Sequence, residues 1–390
     1  MRNAIKRVYL FLTLKIWFPL LYRIYSRKPV EKNKVIFIEA NLPELSGSLK
    51  YLYQQMEKRG SYVLKIHCLK ELYLSRLAFL KKEAECLRDA ATAGTIFLCE
   101  GSRLVSCITP RKETMIVQVW HGCGAFKKFG FSTSELRFGG SREEYLKYSY
   151  YGNYNLVTVS SAEVMWAYEE AMNIDRRSGI VQPLGISRTD IFFREEYRDR
   201  AWEHVKRILP QIRGRKIILY APTFRGSVGK ARTPDKLDIP ALEKALGKEY
   251  FLLVKHHPVV AKRPPIPEEV SGFAADVTET FDIEELLMIS DICISDYSSL
   301  IFEYSLFERP MIFFAFDLEE YGDWRGFYYD YDELTPGPVV RTTGEIIEFI
   351  QKLDTEFDIE KVRAFKRKYM SACDGHATDR LIKFITEETD

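Results

Sequence analysis

Short apolar runs recur along this chain, each ending in a turn of polar or glycine residues, with stretches of helical character between them. In the first half they are VIFIEA (35–40), TIFLCE (95–100), MIVQVW (115–120) and LVTVSS (156–161). In the second half they are KIILYAP (216–222), YFLLVKHHP (250–258), DICIS (291–295) and PMIFFAF (310–316). Near-continuous runs of this length predict strands buried on both faces, and the stretches 48–59 and 162–174 predict helices. Such alternation implies mostly parallel sheets covered on both sides, and 390 residues suffice for two of them. A polar stretch around 194–215, holding Pro210 and Gly214, reads as the crossover. The predicted architecture is α/β, with two Rossmann-like domains facing a cleft, at 31–195 and 196–368, and a C-terminal helix at 369–390.

Composition adds one asymmetry. Lys and Arg number 57 against 55 Asp and Glu, but residues 1–34 hold nine bases and one acid, leaving 48 bases against 54 acids elsewhere. A nucleic-acid binder would spread its positive charge over a folded face, so no nucleic-acid partner is expected. The basic segment, 1–30, is also aromatic: Phe11, Trp17, Phe18, Tyr22 and Tyr25 accompany Arg2, Lys6, Arg23, Arg27 and Lys28. It shows no small-residue cleavage site. Lys15 and Pro19 interrupt its apolar run at 8–22, which falls short of the roughly 20 residues a spanning helix needs. The expectation is a segment lying in the membrane interface on the cytoplasmic face; the alternative is an ordinary helix packed on the domain. Seven cysteines without a CxxC pair read as buried thiols in a reducing compartment.

Ligands of open α/β sheets bind beyond the carboxyl ends of the strands, so the residues there are the ones to examine. His121, followed by Gly122 in QVWHGCG, has an imidazole suited to taking a proton from a hydroxyl; the competing reading is a structural histidine closing a strand. Thr223 and Arg225 in YAPTFRG offer a hydroxyl and a guanidinium to phosphate oxygens. In Lys255-His256-His257-Pro258 the adjacent histidines point to opposite faces, so one is expected to contact substrate while the other packs. In SDYSSLIFE a strand turns through Asp296 into a helix that starts at Ser298 or Ser299, where free N–H groups favour phosphate. Glu303, one turn on, can accept from ribose hydroxyls. Plain serine capping is the competing reading. No P-loop, nucleophile elbow, HExxH or GxGxxG pattern occurs, and no metal-ligand cluster is visible. No cofactor is expected beyond modest stimulation by magnesium.

WHG (120–122), APTFR (221–225), KHHP (255–258) and SDYSS (295–299) stand in the order and approximate spacing of the CDP-glycerol glycerophosphotransferases of teichoic acid synthesis. ERPMIFFAFDLEEY (308–321), RGFYYDYDELTPGPVVRT (325–342) and DGHATDR (374–380) also match, so the chain resembles that family over about 35–385. The resemblance implies a glycosyltransferase-B-like fold with the CDP donor held by the C-terminal domain. It implies His121 as base, His257 with Ser298 and Ser299 on the donor diphosphate, and Lys255, Thr223, Arg225 and Glu303 as further donor contacts. Gly122, Asp296 and Arg325 lie in the matching stretches as additional contacts. Gly226 stands where the family often has an acid, and Glu303 where aspartate is frequent. The reaction implied is transfer of glycerol phosphate from CDP-glycerol to a hydroxyl of a polyprenyl-linked acceptor, releasing CMP, for a teichoic-acid-like or capsular polymer. CDP-ribitol as donor, a UDP-sugar transferase of the same fold and a non-catalytic polymer-binding protein are the alternatives. Primase and polymerase are both open, the lack of an appended domain favouring a primase or short-chain enzyme.

Overall fold

The computed structural model describes residues 2–70, 75–134, 136, 139–226 and 230–387, without the side chains of 2–4, 76 and 322–325. The chain forms two compact units. The first comprises 1–122, 129–191 and 371–390, and the second 123–128 and 192–370. The helix at the C-terminus therefore belongs to the first unit.

The first unit is built on a parallel sheet of β1 (Glu31–Glu39), β2 (Val63–Cys68), β3 (Ala93–Leu98), β4 (Met115–Gln118), β5 (Leu156–Thr158) and β6 (Val181–Gln182), in the order β2-β1-β3-β4-β5-β6. The apolar runs form its centre: β3 is buried along its whole length, and Phe37 of β1 stacks on Phe97 of β3 with ring centroids 5.2 Å apart. The helix Gly47–Arg59 covers this core with Leu49, Leu52 and Met56, and stops at Gly60, whose φ of +68° suits a residue without Cβ. Helix Ala377–Glu387 adds Leu381, Ile382 and Ile385 to the same core. The buried Asp190 carboxylate accepts from the N–H groups of Ala377 (3.0 Å) and Thr378 (2.8 Å), satisfying two orphan donors of that helix.

The N-terminal segment is one helical run through Arg2–Phe11, Leu12–Trp17 and Phe18–Tyr25, its middle portion wound as π-helix. Pro19 supplies no N–H to the preceding turn, and the Thr13 hydroxyl bonds back to the Tyr9 carbonyl, so the regular ladder loosens there. Ile5–Tyr25 is 21 residues long and its most apolar 18-residue window has mean hydropathy 1.2, so by length and composition alone it is sufficient to cross a membrane, which corrects the expectation that it is too short. Leu14, Phe18 and Tyr22 are nevertheless buried, the Tyr22 hydroxyl accepts from the Arg111 N–H, and the Arg111 guanidinium donates to the Ser26 carbonyl at 3.0 Å. Ile5, Val8, Leu12, Ile16, Leu20 and Ile24 lie exposed at intervals of three or four residues.

The second unit holds β7 (Lys216–Tyr220), β8 (Tyr250–Val254), β9 (Ala274–Asp276), β10 (Ile292–Ser295), β11 (Met311–Phe314) and β12 (Val339–Val340), all parallel, in the order β12-β11-β10-β7-β8-β9. This is the doubly wound dinucleotide-fold order, which reverses between β7 and β10, the point where sheets of this kind take their ligands. The stretch read as a crossover contains a helix, Glu195–Ile208, that buries only Ala201 and Val205. Its polar majority faces outward and disguises it as a linker.

Candidate active site

Both sheets deliver their chemistry at the carboxyl ends of their central strands. In the first unit β3 and β4 run in register, Leu98 opposite Gln118, so the residues just past each strand emerge side by side. Gln118 is fully buried; its Nε2 donates to the Glu100 carbonyl (3.0 Å) and its Oε1 accepts the Trp120 N–H (2.9 Å). Trp120 takes φ +56°, a left-handed conformation that costs a non-glycine residue about 1–2 kcal/mol. Its ring packs on Phe129, at 4.7 Å between centroids, and that turn throws His121 outward. The His121 side chain is 46% exposed, with Nδ1 2.9 Å from Glu100 Oε1 and 3.2 Å from the Cys99 carbonyl. Neither a carbonyl nor a carboxylate can donate, so Nδ1 carries the proton and the Nε2 lone pair is the basic position. Gly122 is buried, and its carbonyl accepts from the Tyr168 hydroxyl at 3.4 Å. Glu100 carries no motif of its own; the register of two neighbouring strand ends is the signal that finds it.

In the second unit the stretches after β7 and β10 meet at the reversal point. The buried Asp296 accepts the N–H groups of Thr223 (2.8 Å) and Tyr297 (2.7 Å) through one carboxylate oxygen, and its carbonyl accepts from the Tyr331 hydroxyl. Thr223 is itself buried, and its hydroxyl has no hydrogen-bond partner, an unmet demand of the kind a ligand satisfies. Ser298 and Ser299 are half-buried at the start of Leu300–Tyr304, and Ser299 makes no capping bond with its side chain. That helix has five residues, which weakens any field at its start relative to a long helix.

The histidine pair divides as alternation along an extended chain requires. His256 is buried and bonded to the Thr233 hydroxyl at 2.8 Å, and burial holds its pKa below the ordinary value. His257 is exposed; its ring meets Phe224 edge-on and its Nδ1 accepts the Val259 N–H at 3.2 Å. With Nδ1 accepting, the proton of the neutral ring sits on Nε2, the tautomer opposite to that of His121.

Three sequence expectations are corrected. Arg225 is not an open phosphate ligand: its guanidinium makes a two-pronged bond to Asp317 (2.6 and 2.9 Å), donates to the Thr223 carbonyl (2.6 Å) and lies 3.0 Å from Asp296. It also lies against the rings of Tyr297 and Tyr321. Burial works to lower its pKa, but the Asp317 bond and the two carboxylate charges outweigh burial and raise it. Lys255 donates to the carbonyls of Thr278 (2.7 Å) and Phe281, and burial lowers its pKa. Glu303 is 3% exposed and takes the Cys123 thiol at 3.7 Å, so it does not stand open to a ribose. Arg325 ends the helix Leu318–Arg325, and its side chain lies outside the described residues. Asp317, which sequence reasoning left without a role, is the partner that fixes Arg225. Beside this cluster a pocket of about 700 Å³ is lined by Arg232, Lys236, Phe316 and Tyr321, among others. Among the described residues no group of three His, Cys, Asp or Glu could hold a metal.

Comparison with known proteins agrees with this architecture. The teichoic acid ribitol-phosphate primase of Bacillus spizizenii is 34% identical over 364 residues, 92% of each chain. The teichoic acid glycerol-phosphate primase of Bacillus subtilis is 31% identical over 288 residues, 72% of this chain and 70% of that one. The chain spans 58% of the teichoic acid poly(ribitol-phosphate) polymerase of B. spizizenii, at 32% identity over 93% of its own length. In three dimensions, a histidine variant of the wall teichoic acid polymerase TagF superposes with TM-score 0.77 at 23% identity, covering 100% of this chain and 97% of that one. A UDP-N-acetylglucosamine 2-epimerase follows with TM-score 0.58 at 11% identity, covering 92% and 96%. These likenesses establish the glycosyltransferase-B-like α/β fold. The family model of CDP-glycerol:poly(glycerophosphate) glycerophosphotransferases matches residues 20–387, and the chain belongs to that family, as a transferase of the teichoic acid primase and polymerase group.

Proposed function

We propose that this protein transfers a polyol phosphate from its CDP ester to a hydroxyl of a polyprenyl-linked acceptor, releasing CMP, in synthesis of a teichoic-acid-like or capsular polymer. The observation that carries the reading is the His121 imidazole, half-exposed at a sheet's carboxyl end with Nε2 left open as a base. In this mechanism Nε2 takes the acceptor hydroxyl's proton as the oxygen attacks the donor's β-phosphorus, and the bond from that phosphorus to the CMP oxygen breaks. His257 holds the diphosphate with Ser298, Ser299 and the unsatisfied Thr223 hydroxyl; fixed donors of this kind are worth several kcal/mol in such a step. Arg225 and Asp296 keep that loop in place. No resident metal is required, so chelation should leave most of the activity in place.

Glycerol phosphate is the group that the family description names. Ribitol phosphate is the second reading, favoured because the ribitol-phosphate primase aligns over 92% of both chains, whereas the glycerol-phosphate primase aligns over 72% and 70%. A wall teichoic acid polymerase of the same fold has been solved after a soak with CDPG. Incubating the protein with CDP-glycerol, CDP-ribitol or UDP-sugars and a lipid-linked acceptor tests the reading. CMP release from one CDP-polyol is the expected result, and nucleotide release from UDP-sugars alone would overturn it.

The N-terminal helix lies in the cytoplasmic membrane interface in this proposal. Its exposed stripe enters the headgroup boundary, its basic residues meet anionic lipid, and its buried face holds it to the unit. Deleting residues 1–28 would strip Leu14, Phe18 and Tyr22 from the core, so the cleaner variant is the surface pair Ile16→Glu and Leu20→Glu. That pair should lose salt-sensitive flotation with anionic vesicles; retained flotation would place the membrane contact elsewhere.

A further inference from the structure

The first unit's strand order, β2-β1-β3-β4-β5-β6, reverses between β1 and β3, and Glu100 stands at that point, two residues past the end of β3. The side chain is 26% exposed, and its Oε1 lies 2.9 Å from His121 Nδ1. Its backbone carbonyl is gripped by the buried Gln118, the same residue that holds the Trp120 turn, so one side chain sets the spacing of both partners. The Nδ1 hydrogen bond itself goes to the Cys99 carbonyl at 3.2 Å, with the Glu100 carboxylate standing beside the same nitrogen; the buried Glu39, which touches the Cys99 thiol (3.1 Å), is held by the Asn41 and Ser46 N–H groups.

We propose that Glu100 is a positioning residue for the His121 base. It selects the tautomer with the proton on Nδ1, turns Nε2 toward the reacting hydroxyl, and stabilises the imidazolium that forms when Nε2 takes the proton. Free imidazole side chains in water do not hold this tautomer unaided, and a carboxylate on the far nitrogen is the usual means of fixing it. The proton taken by Nε2 leaves to solvent after CMP departs, and the Nδ1 proton never leaves the ring. This role rests on the polyol-phosphate-transfer reading; the ring state does not.

The test has two arms. In ¹⁵N-histidine-labelled full-length protein, with the His121 resonances assigned by loss in His121→Asn, the parent should show a protonated Nδ1 and a bare Nε2. Glu100→Ala should shift His121 toward the Nε2–H form, while the near-isosteric Glu100→Gln controls for folding. In turnover, Glu100→Ala should lower kcat about 10- to 10³-fold with CDP-polyol affinity within twofold of the parent, and Glu100→Asp should recover part of the loss. An unchanged ring tautomer in Glu100→Ala overturns the proposal, and so does parental kcat in that variant. If the parent turns over no CDP-polyol, the transfer reading fails, and the tautomer arm still decides what Glu100 does.

Discussion

His121 and Arg225 both follow a buried parallel strand and both meet carboxylates, yet they end in opposite states. His121 has one carboxylate and one carbonyl on a single nitrogen, and its side chain is 46% exposed with the other nitrogen open. Arg225 has two carboxylates, a carbonyl and aromatic faces around a side chain that is 13% exposed. Lys255, whose ammonium is held by two backbone carbonyls, is occupied in the same way as Arg225. A basic group at a strand end becomes chemistry only if its partners leave one position unfilled. Otherwise it is scaffold, and its value lies in ordering the loop that carries the open groups.

The largest effect expected from this contrast is on stability. Arg225→Met strands Asp317 and Asp296 in a partly buried site without their counter-charge, and should cost about 3–5 kcal/mol in urea unfolding. Parental stability with lost donor affinity would instead make Arg225 a ligand contact and erase the contrast.

His257→Ala should leave stability nearly unchanged and weaken CDP-polyol binding about 10-fold, as loss of one hydrogen bond to a charged group does. The double change Ser298→Ala with Ser299→Ala should do the same. Calorimetric titration reads both, and unaltered affinity would move the diphosphate away from this loop.

The smallest effect is on pH dependence. Burial, the largest influence in each case, lowers the pKa of His256 and of His67 below the ordinary 6.5, although Asp89 opposes the shift at His67. The unfolded chain then binds more protons than the native one below about pH 6.5, so the stability these groups contribute is present above that pH and is lost as pH falls toward their folded values. Replacing His256 with Gln should flatten that part of the stability profile measured between pH 7 and 5.

The central strands and the strand-end rule were legible because fully buried parallel strands leave long apolar runs, as in TIFLC and FLLV. The outer strands were not. β2 exposes Val63 and Ile66, and β6, β9 and β12 are two or three residues long, too short to carry a period. His121 and the division between His256 and His257 could be read from motif and alternation. The occupation of Arg225 could not, because Asp317 lies 92 residues away and only the neighbouring ends of β7, β10 and β11 bring it near. Glu303 misled for a related reason: helical spacing gives its turn but not its depth.

The most direct test of the account pairs donor binding with turnover in His121→Ala. CDP-polyol should bind with near-parental affinity by calorimetry while CMP release with a lipid-linked acceptor falls about 10²–10⁴-fold, the contribution of a positioned general base. Parental turnover in that variant, or donor affinity lost in step with rate, would contradict the assignment of His121 as the base.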